Sequence, residues 1–142
     1  MSCSSKLSGG WPAIASRENH FGRNGIVHPN GAVRARAGET VLIPGSMGTS
    51  SYVAKGIGNS EAFACQHGAG RAMSRTAARK SKTSAEVYDE MATLGVALLS
   101  GDPATVAEEA AVADKDIETV MAASASLVRL VRRLTPLGVV KG

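Results

Sequence analysis

The segment at residues 65–71, CQHGAGR, combines a histidine, three small residues and an arginine. A neutral imidazole can attack phosphorus, bind a metal ion or move a proton, so His67 is a candidate for each role. Small residues let a backbone approach a bulky ligand closely, and the Arg71 guanidinium can donate two hydrogen bonds to one oxyanion. The pattern is typical of a phosphate site, and a hydrogen-bonded structural or surface histidine is the alternative.

A second glycine-rich segment, PGSMGTSS at residues 44–51, follows a short apolar strand. Its glycines free backbone N–H groups and its hydroxyls add further donors, which together could cradle a phosphate or a nucleobase edge. A plain turn is the alternative. We predict that the strands near 40–43 and 52–54 bring this loop next to His67, so that both loops serve one pocket.

The elements that must position these loops change in type along the chain. Residues 26–56 are strand-like, with a hairpin turn at 30–31, a second turn at 37–38 and strands at 40–43 and 51–56. Helices are predicted at 70–81, at 84–94 behind a Thr83/Glu86 capping box, and at 103–124 with an interruption. Two strands close the chain. The order of elements predicts an α+β fold.

The predicted start of the first helix has a chemical consequence. If the helix opens at residue 70, its unpaired N–H groups and dipole attract an anion beside His67. Arg71 and Arg75, four residues apart, would then share one helix face. The further cations Arg79, Lys80 and Lys82 form either a solvated face or part of a surface for a polyanion.

The composition of the chain limits the classes of protein to which it can belong. The 142 residues fit one domain, and 44% hydrophobic residues suffice for a core. The net charge of +4 favours anionic partners only weakly. Two cysteines form no disulfide framework and no apolar run approaches a membrane span, so we expect a reduced, cytoplasmic setting without a membrane. His20, His28 and His67 are too widely spaced for a metal motif, and Cys65 is expected to be a buried thiol rather than a partner of His67.

Three quoted stretches carry a resemblance to a known family. HFGRNGIVHPNGAVRARAGETVLIPGSMGTSSYVAKGIGNSEAF, then HGAGRAMSRTAARK, then the terminal VVKG resemble the C-terminal portion of the RtcB-type RNA-splicing ligases in order and approximate spacing. The resemblance covers residues 16–142 and implies an RtcB-like C-terminal catalytic region with that family's α+β fold. Residues 1–15 are expected to be a divergent, flexible N-terminus.

The resemblance implies a GTP-dependent and Mn²⁺-dependent ligase of tRNA splicing and RNA repair. Such an enzyme joins an RNA 3′-phosphate or 2′,3′-cyclic phosphate to a 5′-hydroxyl through a guanylylated histidine. The implied partners are a guanine nucleotide and RNA, as tRNA halves or broken RNA. The matching positions are His67 as nucleophile and Arg71 in the active site, with GMP contacts at Pro44, Gly45, Ser46, Met47, Ser51, Gly68, Ala69, Gly70 and Lys141.

The chain departs from the family pattern at three places. Pro12 stands where a metal-binding histidine is expected, Pro29 and Asn30 where a basic pair is expected, and Asp114 where a tyrosine is expected near guanine. The family's N-terminal portion supplies most metal ligands, so we assign no metal ligand here and expect weak manganese binding by this chain alone. The chain is interpreted as truncated and partly degenerate.

Two other functions stay open. A non-catalytic remnant would retain weak guanine-nucleotide or RNA binding, or would associate with a full-length ligase or an activating protein. A phosphohistidine-type phosphatase has only the proximity of His67 and Arg71 in its favour.

Overall fold

The computed structural model describes residues 16–20, 23–27, 31–59 and 64–141, which form the predicted α+β fold. The strands are β1 (Ser16–His20), β2 (Arg23–Val27), β3 (Ala32–Arg34), β4 (Thr40–Ile43), β5 (Ser51–Gly56), β6 (Ala64–Gln66), β7 (Ala97–Ser100), β8 (Val128–Leu134) and β9 (Gly138–Lys141). The helices are α1 (Arg75–Ser81), α2 (Ser84–Thr93), α3 (Pro103–Glu108) and α4 (Ile117–Ala123), with a short 3-10 helix at Ala111–Ala113.

Small sheets connect distant parts of the chain. β4, β5 and β8 form an antiparallel sheet in that order, with an irregularity between Val53 and Ala54 of β5. β3 pairs antiparallel with β6, and β1 pairs antiparallel with β2. β7 and β9 pair in parallel, so the C-terminal strand is held beside the middle of the chain.

Alternation along β4 and β5 builds the first of two cores. Val41 and Ile43 point inward on β4, and Tyr52 and Ala54 point inward on β5, because successive side chains of a strand face opposite sides. All four are buried, and α4 adds Ile117 to the same cluster. This core fixes the two strands that flank the loop at residues 44–51.

The second core lies beneath the helices. Val87 and Met91 of α2 pack with Val106 of α3, and the loop residue Met47 joins this cluster. Leu98 and Val139, from the parallel pair β7 and β9, pack against it. Met47 therefore anchors the glycine-rich loop to the helical half of the molecule.

Several predicted elements are confirmed. β4 spans the predicted residues 40–43, β5 spans 51–56, and Gly38 occupies the turn between β3 and β4 with φ +77°. The capping box at α2 is complete: Thr83 accepts from the Glu86 N–H, and the Glu86 carboxylate accepts from the Thr83 N–H. The long third helix is interrupted, as predicted, into α3, the 3-10 helix and α4.

Two predictions are wrong. The first helix begins at Arg75, not at residue 70, because Ser74 caps it by accepting from the Ala77 N–H. The turn at 30–31 does not join two paired strands, since β2 pairs with β1 and β3 pairs with β6. Strand β7 was not predicted at all. Residues 1–15, with the expected flexible N-terminus and Pro12, lie outside the described residues, as do His28, Pro29 and Asn30.

The described part of the chain contains no helix that is long and apolar enough to cross a membrane.

Candidate functional site

The loop at residues 44–51 is shaped by its own hydroxyls and by a glycine. The Ser46 N–H donates to Thr49 Oγ1 at 2.7 Å, and the Gly45 N–H donates to Ser51 Oγ at 3.2 Å. A Cβ at Gly45 would stand 2.2 Å from the Ser50 carbonyl oxygen, so this position accepts only glycine. The loop is a fixed structure in which the Thr49 and Ser51 hydroxyls accept the N–H groups of Ser46 and Gly45.

The His67 segment lies directly against this loop. β6 ends at Gln66, and the His67 N–H then donates to the Gly31 carbonyl at 3.3 Å. The Ala69 N–H donates to the Pro44 carbonyl, also at 3.3 Å. The predicted neighbourhood of the two glycine-rich segments is therefore present, and backbone hydrogen bonds rather than side chains establish it.

His67 itself is exposed, whereas Cys65, two residues earlier, is buried in the first core. Burial raises the pKa of the Cys65 thiol and so favours its neutral form. The residue behaves as the expected buried thiol and forms no pair with His67. No described side chain hydrogen-bonds to the His67 imidazole, which leaves the ring accessible at the surface of the site.

Arg71 is held by the last residue of α3, Glu108, and by Glu109, which follows it. Its Nη2 donates to the Glu108 carbonyl at 2.8 Å, and its Nη1 lies 3.5 Å from Glu109 Oε1. Since α1 begins only at Arg75, Arg71 does not share a helix face with Arg75, and α1 does not open at the His67 segment. The anion site predicted from a helix start at residue 70 is wrong in that respect.

Lys141 approaches the same place from the C-terminal strand. Its Nζ forms an ion pair with Glu109 Oε2 at 3.1 Å, and Glu109 also pairs with Arg71. Glu109 thus bridges the two cations that the resemblance assigns to the active site. The parallel pairing of β9 with β7 positions Lys141, because Lys141 lies opposite Ser100 in the register.

A cavity of about 230 Å³ opens where these parts meet. Its lining residues come from the glycine-rich loop, from the segment after α3 and from β9: Gly45, Ser46, Met47, Glu109, Asp114, Val139 and Lys141. The cavity therefore joins the loop at 44–51 to Lys141, whereas the His67 segment lies beside the loop and does not line the cavity itself.

Asp114 brings a second carboxylate to this cavity. Partial burial raises its pKa; the positive charges of Arg71 and Lys141 oppose that shift, and the charge of Glu109 adds to it. Asp114 also forms an antiparallel bridge with Arg71 along the backbone. The residue noted as a departure from the family pattern is thus part of the cavity wall.

The cavity unites four of the sequence-predicted residues, Gly45, Ser46, Met47 and Lys141. Pro44 contacts the His67 segment, and Ser51 holds the loop closed. Sequence reasoning missed Glu109 and Val139. A glutamate at the C-cap of a helix carries no motif, and the role of Glu109 follows only from the fold that brings it to Lys141.

No cluster of three His, Cys, Asp or Glu side chains able to hold a metal ion occurs within the described ranges. Glu109 and Asp114 are two carboxylates, and Glu109 is engaged by two cations. The residues described do not fit a manganese site, and we assign no metal ligand to them.

Similarity to known proteins extends over almost the whole chain. The family model described as tRNA-splicing ligase RtcB matches residues 13–142. The chain is 44% identical over 127 residues to the RNA-splicing ligase RtcB of Escherichia coli strain K12, which covers 89% of this chain and 30% of that protein. It is 40% identical over 134 residues to the tRNA-splicing ligase RtcB of Aeropyrum pernix, with 82% and 28% covered.

A relative from Mycobacterium tuberculosis, an RNA-splicing ligase RtcB, is 39% identical over 136 residues, which cover 84% of this chain and 32% of the relative. The chain therefore spans somewhat less than a third of the length of each of these three relatives. On the match of the family model over residues 13–142, the chain belongs to the RtcB family.

Proposed function

We propose that this chain carries the GMP-accepting part of an RNA ligase. The ligase would join an RNA 3′-phosphate or 2′,3′-cyclic phosphate to a 5′-hydroxyl through a guanylylated His67. The observation that supports this most is the convergence of three segments: the loop at 44–51, the His67 segment bound to it through Ala69 and Pro44, and Lys141. The relatives are named as RNA-splicing or tRNA-splicing ligases.

His67 has the accessibility that a nucleophile needs. Its imidazole is exposed and has no hydrogen-bond partner among the described side chains. In the proposed step a ring nitrogen attacks the α-phosphorus of GTP, a P–N bond forms, and the bond to the β-phosphate oxygen breaks. Pyrophosphate leaves and the other ring nitrogen loses its proton, which gives a phosphoramidate with a neutral imidazole ring and one negative charge on the phosphoryl group.

The two later steps follow from the same intermediate. GMP passes from His67 to the RNA 3′-phosphate, and the 5′-hydroxyl of the second RNA end then attacks that activated phosphate. A phosphodiester forms, GMP leaves, and His67 is free again. A 2′,3′-cyclic phosphate has to be opened by water before it can accept GMP.

Arg71 and Lys141 would supply positive charge to the phosphates. Both are held by Glu109, so an anionic ligand must compete with that carboxylate for them. The loop at 44–51 offers the Ser46 and Thr49 hydroxyls, and the small residues 68–70 leave room for the nucleotide. Manganese is implied by the family, but the described residues do not fit a site for it, and no step is assigned to it here.

Incubation with GTP labelled at the α-phosphate in the presence of Mn²⁺ tests the proposal. A label that is labile in acid and stable in alkali indicates a phosphohistidine bond. We expect His67→Ala to lose the label and His20→Ala, a matched change of another histidine, to retain it. Bound nucleotide without any label would favour the non-catalytic alternative.

A further inference from the structure

The sheet of β4, β5 and β8 has one face in the first core and one outer face that carries cations. Residues directly opposite each other in an antiparallel pair point to the same side, so the pairs Lys55–Arg129 and Val53–Arg132 share a face. Ala54, between the two β5 residues, points into the first core, so both pairs point outward. The three cations, Lys55, Arg129 and Arg132, are exposed, and we call them the basic strip.

No residue in the described part of the chain neutralises the basic strip. β4, β5 and β8 contain no Asp or Glu, and the three side chains form no ion pair or hydrogen bond with another described residue. Arg133, on the other face of β8, does form an ion pair, with Glu118 at 3.0 Å. Lys55 and Arg129 are direct cross-strand neighbours, and like charges in that position destabilise a sheet. The folded chain therefore gains nothing from bringing these charges together.

Protection of the sheet edge explains a charge on β8 but not a cluster of one sign. Among the described residues β8 is an edge strand, and charged side chains there hinder pairing with another chain. A glutamate at position 129 would protect the edge equally well and would attract Lys55 instead of repelling it. The concentration of positive charge on one face therefore favours a role in binding an anion.

The basic strip extends from the end of the glycine-rich loop. Ser51, whose hydroxyl accepts the Gly45 N–H, begins β5 and pairs with Leu134 of β8. Arg132 stands opposite the residue two positions along β5, and Lys55 is four positions along. At about 3.3 Å per residue, the two cations follow Ser51 at about 7 Å and about 13 Å along the sheet. A chain-like anion that reaches the loop could therefore continue along the strip.

We propose that the basic strip binds the phosphate backbone of an RNA strand outside the cavity. A row of phosphates complements three cations that have no acidic neighbour on their sheet. A second copy of the chain fits less well, because in a two-fold contact the strip would meet its own positive charges. Tyr52, the single aromatic residue of the three strands, is buried, so bases have no ring to stack on and binding is independent of sequence. The choice of RNA rests on the proposed function, whereas the binding itself needs no guanylylated His67.

Fluorescence anisotropy with a labelled single-stranded RNA of mixed sequence, without GTP or metal ions, tests the proposal. We expect the full chain to bind with a Kd of about 1–100 μM, which rises steeply with salt. Arg129→Gln and Arg132→Gln should each weaken binding about two- to fivefold, the strength of an exposed ion pair. Each should also reduce the slope of log affinity against log salt by about 0.7. Unlabelled RNAs of different sequence should compete equally.

Arg129→Glu separates RNA binding from folding. It places a carboxylate opposite Lys55, so urea denaturation should show a variant at least as stable as the wild type, whereas its affinity for RNA should fall about tenfold. Lys80→Glu is the matched control. It makes the same change of charge at an exposed residue of α1 that has no ion pair among the described residues, and it should have a clearly smaller effect on RNA binding.

An equal loss of RNA affinity in Lys80→Glu and Arg129→Glu would assign binding to net charge and overturn the proposal. It is also overturned if the strip variants bind RNA as tightly as the wild type, or if the strip instead binds vesicles of anionic lipid more tightly than RNA. A dimer of the chain that Arg129→Glu abolishes would overturn it as well. The nucleotide chemistry is tested separately: a chain that binds RNA through the strip but takes no label at His67 refutes the proposed function alone, and a labelled chain with no RNA contact at the strip refutes only the present inference.

Discussion

The backbone N–H of Ala69 donates to the carbonyl of Pro44 at 3.3 Å, and this bond joins the two glycine-rich segments of the chain. Gly68, the residue between His67 and Ala69, lies so close to the loop that a Cβ at this position would stand 3.1 Å from the same Pro44 oxygen. The neighbourhood of His67 and the loop at 44–51 therefore depends on the absence of a side chain at position 68.

Gly68→Val is expected to destabilise the fold as well as crowd the site. The added Cβ and its methyl groups press on Pro44, and overpacking of this kind costs about 1–3 kcal/mol. Thermal or urea unfolding measures the loss. Gly101→Val is the matched control, because a Cβ at Gly101 meets nothing closer than the Lys141 carbonyl oxygen at 4.0 Å. Equal stability of the two variants would show that the Gly68 contact does not constrain the loops.

Arg79 is expected to contribute more to stability than its neighbour Arg75. Glu108 is buried, with 8% of its side chain exposed; Arg79 hydrogen-bonds to its carboxylate, and Arg75 lies 3.7 Å away. Arg79→Ala leaves a buried carboxylate with the weaker partner, at a cost of about 1–2 kcal/mol. Arg75→Ala should cost less than about 0.5 kcal/mol.

Urea denaturation of both arginine variants at low and high salt provides the measurement. Because both arginines are more than half exposed, salt should reduce the difference between them. A larger loss for Arg75→Ala than for Arg79→Ala would contradict the assignment.

Asp116 is expected to make the stability of α4 depend on pH. Its carboxylate accepts from the Thr119 hydroxyl at 2.6 Å and the Thr119 N–H at 2.9 Å, and these bonds lower its pKa below the usual value of an aspartate. A lowered pKa in the folded state means that the stabilisation is complete above the unfolded pKa of about 3.9 and disappears as the pH falls through the folded value.

Asp116→Ala is therefore expected to lower the melting temperature near neutral pH, because it removes the cap of the helix that buries Ile117. The difference from the wild type should shrink below about pH 4. Asp89→Ala, at an exposed aspartate within α2, is the control and should give a small effect at every pH. A deficit that stays constant down to about pH 2 would rule out the carboxylate cap as its source.

Local signals explain which elements were predictable. The Thr83/Glu86 box, the alternation in β4 and the glycine turn at residue 38 each act within a few residues, and each was predicted. The start of α1 was misplaced because an alanine- and arginine-rich segment has high helix propensity throughout. The actual start depends on Ser74 capping the Ala77 N–H.

The candidate site was predictable only where a motif existed. Ser46 and Lys141 were named because their surroundings resemble a known family, and the fold brings both to one cavity. Glu109 has no such signal, since its role arises from the parallel pairing of β7 with β9, and β7 was itself missed. Non-local pairing of this kind leaves no trace in a short window of sequence.

Glu109 is expected to compete with anionic ligands for Lys141 and Arg71. Its carboxylate lies 3.1 Å from Lys141 Nζ and 3.5 Å from Arg71 Nη1, beside the cavity that Lys141 lines. Glu109→Gln removes the competing charge, so the affinity for pyrophosphate and for GTP should rise about two- to fivefold, the strength of a partly exposed ion pair. Lys141→Met removes a charge-assisted contact and should lower both affinities about tenfold.

Titration calorimetry in metal-free buffer measures these changes, and a second ion pair provides the control. The side chains of Lys82 and Glu90 are 30% and 33% exposed, the same fractions as those of Lys141 and Glu109. Lys82 is the C-cap residue of α1 and Glu90 lies in α2, and neither residue lines the cavity. Glu90→Gln should leave the affinity for pyrophosphate unchanged. If Glu109→Gln instead weakens binding as strongly as Lys141→Met, then Glu109 contacts the ligand or fixes Lys141 for it. The cavity would then be organised by the ion pair rather than blocked by it.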